Sequence, residues 1–254
     1  MIISNLDDIN KLIESVKIET KNYGTICIFT NGNDWYIPTL INNLLVSFGV
    51  HDTNYKIAVF CSDKSGYDKC KNLNFKYFEY INIPDLKTSN ILSGSNAGTD
   101  NYTKLCFVKT VIIRHILELG YTPVYLDPDM ALLKPCIDHL LNYLNKWDFV
   151  CAEVLKTNIM LVKPTQKNKN LFDLNIDNVN YIINNENLYS DEDFLMIKDG
   201  TNLLKNYHFL DIDHYPDGTR AHKYKHVAKI IHANCVSGLE NKIKLLKECD
   251  AWYI

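Results

Sequence analysis

The sequence predicts an α/β protein in which helices flank a mostly parallel central sheet. Two observations lead to this prediction. Short apolar runs of the kind that form buried strands alternate with segments of helical periodicity, and this alternation is typical of a parallel sheet covered on both faces. No internal repeat and no linker rich in proline, glycine or serine divides the chain, so we expect one domain, 1–254.

Composition excludes several classes of protein. The 254 residues are 46% hydrophobic and 22% charged, which is ordinary for a folded protein and excludes a mostly disordered one. The formal net charge is −3, so nothing draws the chain towards nucleic acid or an anionic membrane surface. Lysines concentrate only at 163–169, which we interpret as a solvated loop.

The first half of the chain alternates helix and strand. Leu6, Ile9, Ile13 and Val16 recur at helical spacing, which predicts an amphipathic helix over the first twenty residues. Gly49 follows a second helical pattern and is expected to end it. In order, the predicted elements are a helix at 1–20, a strand at 25–30, a helix at 36–48, a strand at 56–61, a short helix and a strand at 75–80.

The second half continues the alternation after a polar segment. Gly94 and Gly98 lie in this segment, 87–100, which we interpret as a loop, and Thr99 or Asp100 is expected to cap the helix that follows. In order, the predicted elements are a helix at 100–119, a strand at 123–126, a helix at 136–144, strands at 147–152 and 158–162, a helix at 191–197, strands at 208–210 and 227–231, and a helix at 239–249.

Eight cysteines raise the question of a disulfide framework. Cys27, Cys61, Cys106 and Cys151 lie inside apolar patterns, and no two cysteines form a C-x-x-C pair. The first residues lack the basic start and apolar core of a signal peptide, and no run approaches the roughly 18 apolar residues of a membrane helix. We therefore expect reduced thiols, no zinc site, no membrane insertion, and a cytoplasmic location, which includes a host's cytosol.

Two carboxylates follow the apolar run at 123–126. Asp127 and Asp129 are spaced i, i+2 at the carboxyl end of a predicted strand, where ligands bind in open α/β sheets. Such a pair can converge on Mg²⁺ or Mn²⁺, which prefer oxygen ligands and keep positions free for phosphates. The D-x-D spacing alone is a weak signal, because it recurs at 191–193 and 211–213. Solvated surface carboxylates therefore remain the alternative interpretation.

The residues around this pair resemble a known family. Segment 104–135 contains a lysine-bearing helix that ends at Gly120, then the apolar strand, the D-x-D and a following proline, Pro135. Segment 230–242 is a strand followed by His-x-Asn with glycine and lysine behind it, and 189–195 contains an acidic block. In order and spacing these segments resemble the nucleotide-diphospho-sugar transferase family, which includes plant and slime-mould α-xylosyl- and α-galactosyltransferases and, more distantly, glycogenin-like enzymes.

The resemblance implies a GT-A fold, a single Rossmann-like domain, and a metal-dependent glycosyltransferase. The implied reaction moves a sugar from a nucleotide-sugar donor, a UDP-sugar, to a hydroxyl of a glycan, protein or small molecule, with retention of configuration. The implied cofactor is Mn²⁺ or Mg²⁺, and no nucleic-acid partner is expected. Two alternatives stay open: a non-catalytic domain that binds nucleotide sugars, and a phosphatase of the haloacid dehalogenase type that uses the D-x-D.

Site residues follow from the resemblance position by position. The implied metal ligands are Asp127, Asp129 and His232. The implied donor-binding residues are Thr30, Asn31, Lys109, Asp127, Asn158, Asn234, Gly238 and Lys242. The implied catalytic candidates are Asp193, Asp191 and Glu192, between which the sequence does not choose. Gly238 opens the last predicted helix, and the N–H groups of a helix N-terminus suit a diphosphate.

The sequence departs from the family pattern at three places. Pro128 removes the middle backbone N–H of the D-x-D. Glu192 stands where the family usually has glutamine and adds a negative charge. Asn158 and Met160 stand where Asn-x-Gly is expected, so we expect Met160 to change the acceptor side. These departures bear on the identity of the sugar more than on the fold.

Overall fold

The fold is built on an eight-stranded sheet with helices on both faces. The computed structural model describes residues 1–87, 100–152, 156–185, 188 and 190–254, and the side chains of all of these except 101 and 199–206. The helices are α1 (Leu6–Val16), α2 (Asn42–His51), α3 (Lys64–Asn72), α4 (Asp100–Glu118), α5 (Ile137–Tyr143), α6 (Gln166–Leu171), α7 (Ile176–Ile183), α8 (Asp191–Asn206), α9 (Ala221–Tyr224) and α10 (Leu239–Glu248). The strands are β1 (Ile18–Thr20), β2 (Gly24–Gly32), β3 (Ile57–Cys61), β4 (Phe78–Tyr80), β5 (Thr122–Leu126), β6 (Met130–Leu132), β7 (Phe149–Ala152), β8 (Lys156–Val162), β9 (His208–Phe209) and β10 (Ile230–His232).

The predicted mostly parallel sheet is confirmed. Its strand order is β4-β3-β2-β5-β8-β7-β9, and β1 pairs antiparallel with β2. Strands β4, β3, β2 and β5 run parallel, while β8 is antiparallel to both of its neighbours and β9 is parallel to β7. The carboxyl ends of β2, β3 and β5 therefore meet at one edge of the sheet, where open α/β sheets bind ligands.

A second, two-stranded sheet extends this edge. Strand β6 begins directly after the D-x-D and pairs antiparallel with β10, in a register that places Met130 opposite His232. The Ala233 N–H donates to the Asp129 carbonyl over 2.9 Å and continues the pairing. The small sheet thus brings a histidine from the last quarter of the chain next to the two aspartates.

Apolar clusters on the two faces hold the helices to the sheet. In β2, Cys27 and Phe29 pack into the cluster that includes α1 and α4, while Ile26 and Ile28 pack into the cluster on the opposite face. The alternation follows from the two-residue period of a strand. Phe29 is completely buried, and burial of such a side chain contributes roughly 1.5–3 kcal/mol to folding.

Several elements in the first half differ from the sequence prediction. Helix α1 has 11 residues rather than about twenty, because the chain continues into β1, which pairs with β2. Gly49 does not end α2, which continues to His51, and its φ is not in the left-handed region. The predicted loop at 163–169 contains the start of α6. Thr165 caps this helix, because its hydroxyl accepts the backbone N–H of Asn168.

Elements in the second half are longer or more numerous than predicted. Strand β6 and helices α7 and α9 were not expected, and α8 extends to Asn206 rather than ending near residue 197. Met160 lies in the middle of β8, completely buried beside Tyr125, and its expected effect on the acceptor side stays a prediction. The predicted loop with Gly94 and Gly98, and the predicted cap at Thr99, lie outside the described residues.

All eight cysteines are free thiols, as expected. Cys61 and Cys70 approach to 3.5 Å between sulfur atoms and form a hydrogen bond. Among the helices that the structure describes, none combines the length and the apolar character that a membrane crossing requires.

Gly218 lies where no side chain fits. A Cβ at this position would overlap the backbone carbonyl of Asn234, and the Gly218 N–H donates to Asn234 Oδ1 over 2.6 Å. We expect Gly218→Ala to lower the free energy of unfolding by roughly 1–3 kcal/mol, because the loop must move to admit the methyl group. Urea unfolding followed by circular dichroism measures the change.

Gly49→Ala is the matched control. Apart from its chain neighbours and the backbone of α2 itself, no atom of the described residues lies within 4 Å of a Cβ built at Gly49. This substitution should raise the free energy of unfolding by roughly 0.4–1 kcal/mol, because alanine loses less backbone entropy on folding. The same sign of effect for both variants would contradict the crowding inferred at Gly218.

Candidate active site

A cleft of about 430 Å³ opens at the carboxyl edge of the sheet. Its walls come from the ends of β2, β5 and β10 and from the first turns of α4 and α10. Of the residues that the sequence analysis singled out, the cleft is lined by Asn31, Lys109, Asp127, Asp129, His232, Asn234, Gly238 and Lys242. Thr30, Asn158 and the acidic residues at 191–193 do not line it.

Two carboxylates and one imidazole converge on the floor of the cleft. Asp127 follows β5, Asp129 precedes β6 and His232 ends β10. His232 Nε2 lies 3.0 Å from Asp129 Oδ1 and 3.4 Å from Asp127 Oδ2. One ligand atom from each of the three residues falls within 4.8 Å of the others. Carboxylate oxygens with an imidazole nitrogen form a donor set that could hold a divalent cation.

Asn158 holds the His232 ring from behind. Its side-chain Nδ2 lies 2.8 Å from His232 Nδ1, and its Oδ1 accepts the Ile159 N–H over 2.9 Å. Burial alone would lower the pKa of His232, but the Asp129 and Asp127 carboxylates raise it to about 9. The predicted donor-binding residue Asn158 is therefore placed where it orients a cleft residue, with only 7% of its surface exposed.

Lys242 and the start of α10 form a cationic wall of the cleft. Gly238 caps the helix with a φ of +84°, a left-handed conformation that favours glycine. One turn later, Lys242 Nζ donates to Asp129 Oδ2 and, over 2.7 Å, to the Ala233 carbonyl. Burial would raise the pKa of Asp129, but Lys242 and His232 lower it well below its usual range.

Lys109 forms a buried ionic network on the α4 side. Its Nζ donates to Thr157 Oγ1 over 2.7 Å and lies 3.3 Å from Asp191 Oδ2 and 3.9 Å from Asp127 Oδ1. Burial would lower the pKa of Lys109, but Asp191 and Asp127 raise it above its ordinary value. Burial raises the pKa of Asp191 to about 6, against the lowering effect of the Lys109 ammonium.

The three acidic residues at 191–193 have three different environments. Asp191 is 1% exposed and faces Lys109. Glu192 accepts the Thr157 N–H over 3.2 Å and pairs with Lys156. Asp193 Oδ2 accepts from the backbone N–H and the hydroxyl of Ser190 at the start of α8. The Ser-x-x-Asp spacing of this capping interaction was readable in the sequence.

The β2 edge of the cleft is polar at the strand and aromatic beyond it. Thr30 is completely buried and Asn31 is 5% exposed. Within the described part of the chain, Thr30 Oγ1 and Asn31 Oδ1 have no hydrogen-bond partner. Trp35 and Tyr36 line the cleft next to them, with ring centroids 4.8 Å apart. Sequence analysis missed both aromatic residues, because their stretch matches no motif and Tyr36 was interpreted only as the start of a helix.

Tyr125 and Thr157 are two further residues that sequence analysis missed. The Tyr125 hydroxyl donates to Asp127 Oδ1 over 2.6 Å, so it fixes one oxygen of that carboxylate. Thr157 accepts from Lys109, as described above. Both belong to buried strands, where their apolar neighbours made them indistinguishable from core residues by pattern.

Comparison with known proteins places the chain among sugar transferases. The family model described as nucleotide-diphospho-sugar transferase matches residues 54–246, which is more than half of the chain. The match includes the D-x-D, His232 and Lys242. No curated protein sequence matches the chain.

Solved glycosyltransferase structures share the GT-A fold with this chain. LgtC, solved as an active-site mutant, has a TM-score of 0.57 at 10% identity, covering 89% of this chain and 96% of LgtC. Mouse xyloside xylosyltransferase 1 has a TM-score of 0.53 at 14% identity, covering 84% and 99% of the two chains. The bifunctional glycosyltransferase WbbM has a TM-score of 0.56 at 11% identity, covering 87% of this chain and 49% of WbbM. The chain thus spans about half the length of WbbM.

The raised pKa of Asp191 makes stability depend on pH. The folded protein holds this proton up to about pH 6, whereas an unfolded aspartate releases it near pH 4. The stabilising contribution of the protonated carboxyl is therefore complete below pH 4 and is lost as the pH rises through 6. Between these limits, wild type should lose about 3 kcal/mol of unfolding free energy relative to Asp191→Asn.

Urea unfolding in EDTA at pH 4, 5, 6 and 7 measures this difference, because the chelator keeps metal ions off the cleft. Wild type and Asp191→Asn share every other titrating group, so their difference isolates the one carboxyl. Parallel stability curves across the series would show that Asp191 titrates normally in the folded protein.

Proposed function

Because the chain belongs to the nucleotide-diphospho-sugar transferase family, we propose that it transfers a sugar from a UDP-sugar to a hydroxyl acceptor in a metal-dependent reaction. The observation that carries this proposal is the convergence of Asp127, Asp129 and His232 on one point of the cleft floor. We assign Mn²⁺ or Mg²⁺ to this point. The chemistry that such an ion supplies is charge stabilisation at the leaving diphosphate.

The donor is proposed to lie along the cleft from β2 to α10. A buried polar atom without a partner favours a ligand that hydrogen-bonds to it, and among the described residues Asn31 Oδ1, which lines the cleft at the end of β2, is such an atom. We assign the nucleotide base to this end. The diphosphate is assigned to the start of α10, where Gly238 leaves backbone N–H groups open and Asn234 lines the wall.

Lys242 is proposed to stabilise the departing diphosphate. Its ammonium already lies against the Asp129 carboxylate on the cleft side. As the bond between sugar and phosphate breaks, negative charge grows on the phosphate oxygens, and a fixed cation in a partly buried site lowers the energy of that state. Because Pro128 has no N–H, the D-x-D backbone provides no donor at its middle position.

Retention of configuration is proposed with the departing phosphate assisting deprotonation of the acceptor hydroxyl. Asp191, Glu192 and Asp193 are each held by other protein groups, and none lines the cleft. Asp191 pairs with Lys109, and Lys109 lines the cleft. We therefore propose Asp191 as the strongest of the three candidates for stabilising the sugar cation. A nucleophilic or basic role would require Glu192 to leave Thr157 and Lys156.

A sugar hydroxyl is the proposed acceptor class. LgtC was solved with donor and acceptor sugar analogues, and it shares the fold of this chain with a TM-score of 0.55. The alternative that the chain binds nucleotide sugars without turning them over is tested by UDP release. Release of UDP from any member of a UDP-sugar panel would exclude a purely binding role.

Mn²⁺ and UDP together should raise the melting temperature. Ligand at about 100 times its dissociation constant adds roughly 2.7 kcal/mol to the unfolding free energy. For a chain of this size the expected rise is roughly 5–11 °C. We expect the rise to need both components and to disappear in Asp127→Asn/Asp129→Asn, because the two carboxylates would hold the ion that offsets the charge of the diphosphate.

Asp211→Asn/Asp213→Asn is the matched control, since it neutralises the same D-x-D spacing at two exposed residues outside the cleft. This variant should keep the full rise. The temperature rise is compared within each variant, so changes in the stability of the ligand-free proteins do not enter. Absence of a rise with UDP and with GDP in wild type would refute the nucleotide-sugar donor.

A further inference from the structure

The Lys109 ammonium lies among three acceptors and contacts them unequally. The shortest distance, 2.7 Å, joins Nζ to the Thr157 hydroxyl, and the next, 3.3 Å, joins it to Asp191. Asp127 is farthest at 3.9 Å, beyond hydrogen-bond distance. A lysine 3.9 Å from an aspartate would normally move closer and form a hydrogen-bonded ion pair. We therefore ask which contact keeps the Lys109 ammonium at this distance.

The separation of 3.9 Å between Lys109 Nζ and Asp127 Oδ1 leaves the Asp127 carboxylate available to a cation. Its Oδ1 accepts only the Tyr125 hydroxyl over 2.6 Å among the hydrogen bonds of the described residues, and its Oδ2 faces His232 Nε2 at 3.4 Å. If Lys109 donated directly to Asp127, a permanent positive charge would compete with any divalent ion at that carboxylate. The negative charge that the ion needs would then be partly neutralised.

Thr157 holds the ammonium in its place. Lys109 and Thr157 are 7% and 2% exposed, so water reaches the ammonium only from the cleft and its other partners are acceptors that the protein offers. Thr157 is itself fixed, because it lies in β8 and its N–H donates to Glu192 Oε1 over 3.2 Å. The hydroxyl is therefore a rigid acceptor that holds the ammonium at 2.7 Å, while Asp127 Oδ1 stays 3.9 Å away.

We propose that Thr157 is a positioning residue whose hydroxyl keeps the Lys109 ammonium off Asp127 and leaves that carboxylate to a divalent cation. The inference rests on the proposed metal site of Asp127, Asp129 and His232. It goes beyond that site by giving a role in metal affinity to a threonine that no motif identifies.

The test measures Mn²⁺ binding directly and needs no sugar donor. EDTA-stripped protein is titrated with Mn²⁺, and free ion is quantified by its electron paramagnetic resonance signal. Thr157→Val removes the acceptor at nearly constant shape and should weaken binding about tenfold, because Lys109 then moves into contact with Asp127. Thr157→Ser keeps the hydroxyl and should bind as wild type does.

Lys109→Met separates this role from simple packing. Without the competing ammonium, Mn²⁺ should bind at least as tightly as in wild type. Adding Thr157→Val to Lys109→Met should then cause no further change, whereas a packing defect would weaken binding in either background. Thermal unfolding in EDTA shows that each variant is folded before titration.

Three outcomes would overturn the inference. Equal Mn²⁺ affinity of wild type and Thr157→Val overturns it while the proposed function stands. No Mn²⁺ binding by wild type overturns it together with the proposed metal site. If Thr157→Val does not fold, Lys109→Met decides, and weaker binding by that variant than by wild type contradicts the competition on which the inference depends.

Discussion

The site depends on one constraint: the buried carboxylates near the end of β5 need cations or hydrogen-bond donors in place of water. Asp129 and Asp191 are 6% and 1% exposed, and Lys109 Nζ lies within 4 Å of both Asp191 and Asp127. Removing ionised carboxylates from water costs several kcal/mol each unless cations or hydrogen-bond donors replace the solvent. The protein supplies these partners from distant parts of the chain, as Lys109 on α4 and Lys242 on α10. On the α4 side of the cleft Lys109 pairs with Asp191, and on the α10 side Lys242 pairs with Asp129.

The sheet topology makes this charge compensation geometrically possible. Strand β5 is central, between β2 and the antiparallel strand β8, so its carboxyl end receives side chains from both neighbours. Asn158 on β8 fixes His232, and Thr157 on the same strand fixes Lys109. One strand thus orients both the imidazole and the ammonium that flank the D-x-D. The site is organised by residues that do not themselves face the ligand space.

Local patterns in the sequence were enough to predict the sheet, whereas the roles of the D-x-D and of the other predicted cleft residues came from the family resemblance. Strand β5 was recognisable because a fully buried strand is a continuous apolar run. His232 ends a similar run, but only the family resemblance identified it as a metal ligand. Strand β6 was missed, since its three residues gain strand structure only from pairing with β10 about a hundred positions later. The hydroxyl of Thr157 and the amide of Asn158 were assigned no positioning role for the same reason. Their partners, Lys109 and His232, are set by tertiary contacts and not by spacing.

The pairing of β6 with β10 has a consequence for how the protein is made. His232, Gly238 and Lys242 all follow the D-x-D by about a hundred residues or more. A nascent chain that has left the ribosome only as far as α8 contains the two aspartates with neither the imidazole nor the α10 cation against them. Such an intermediate already contains Lys109, but its Asp129 lacks both of the groups that lower its pKa in the folded protein. The charge of the D-x-D is therefore balanced on the Asp129 side only when β10 and α10 dock.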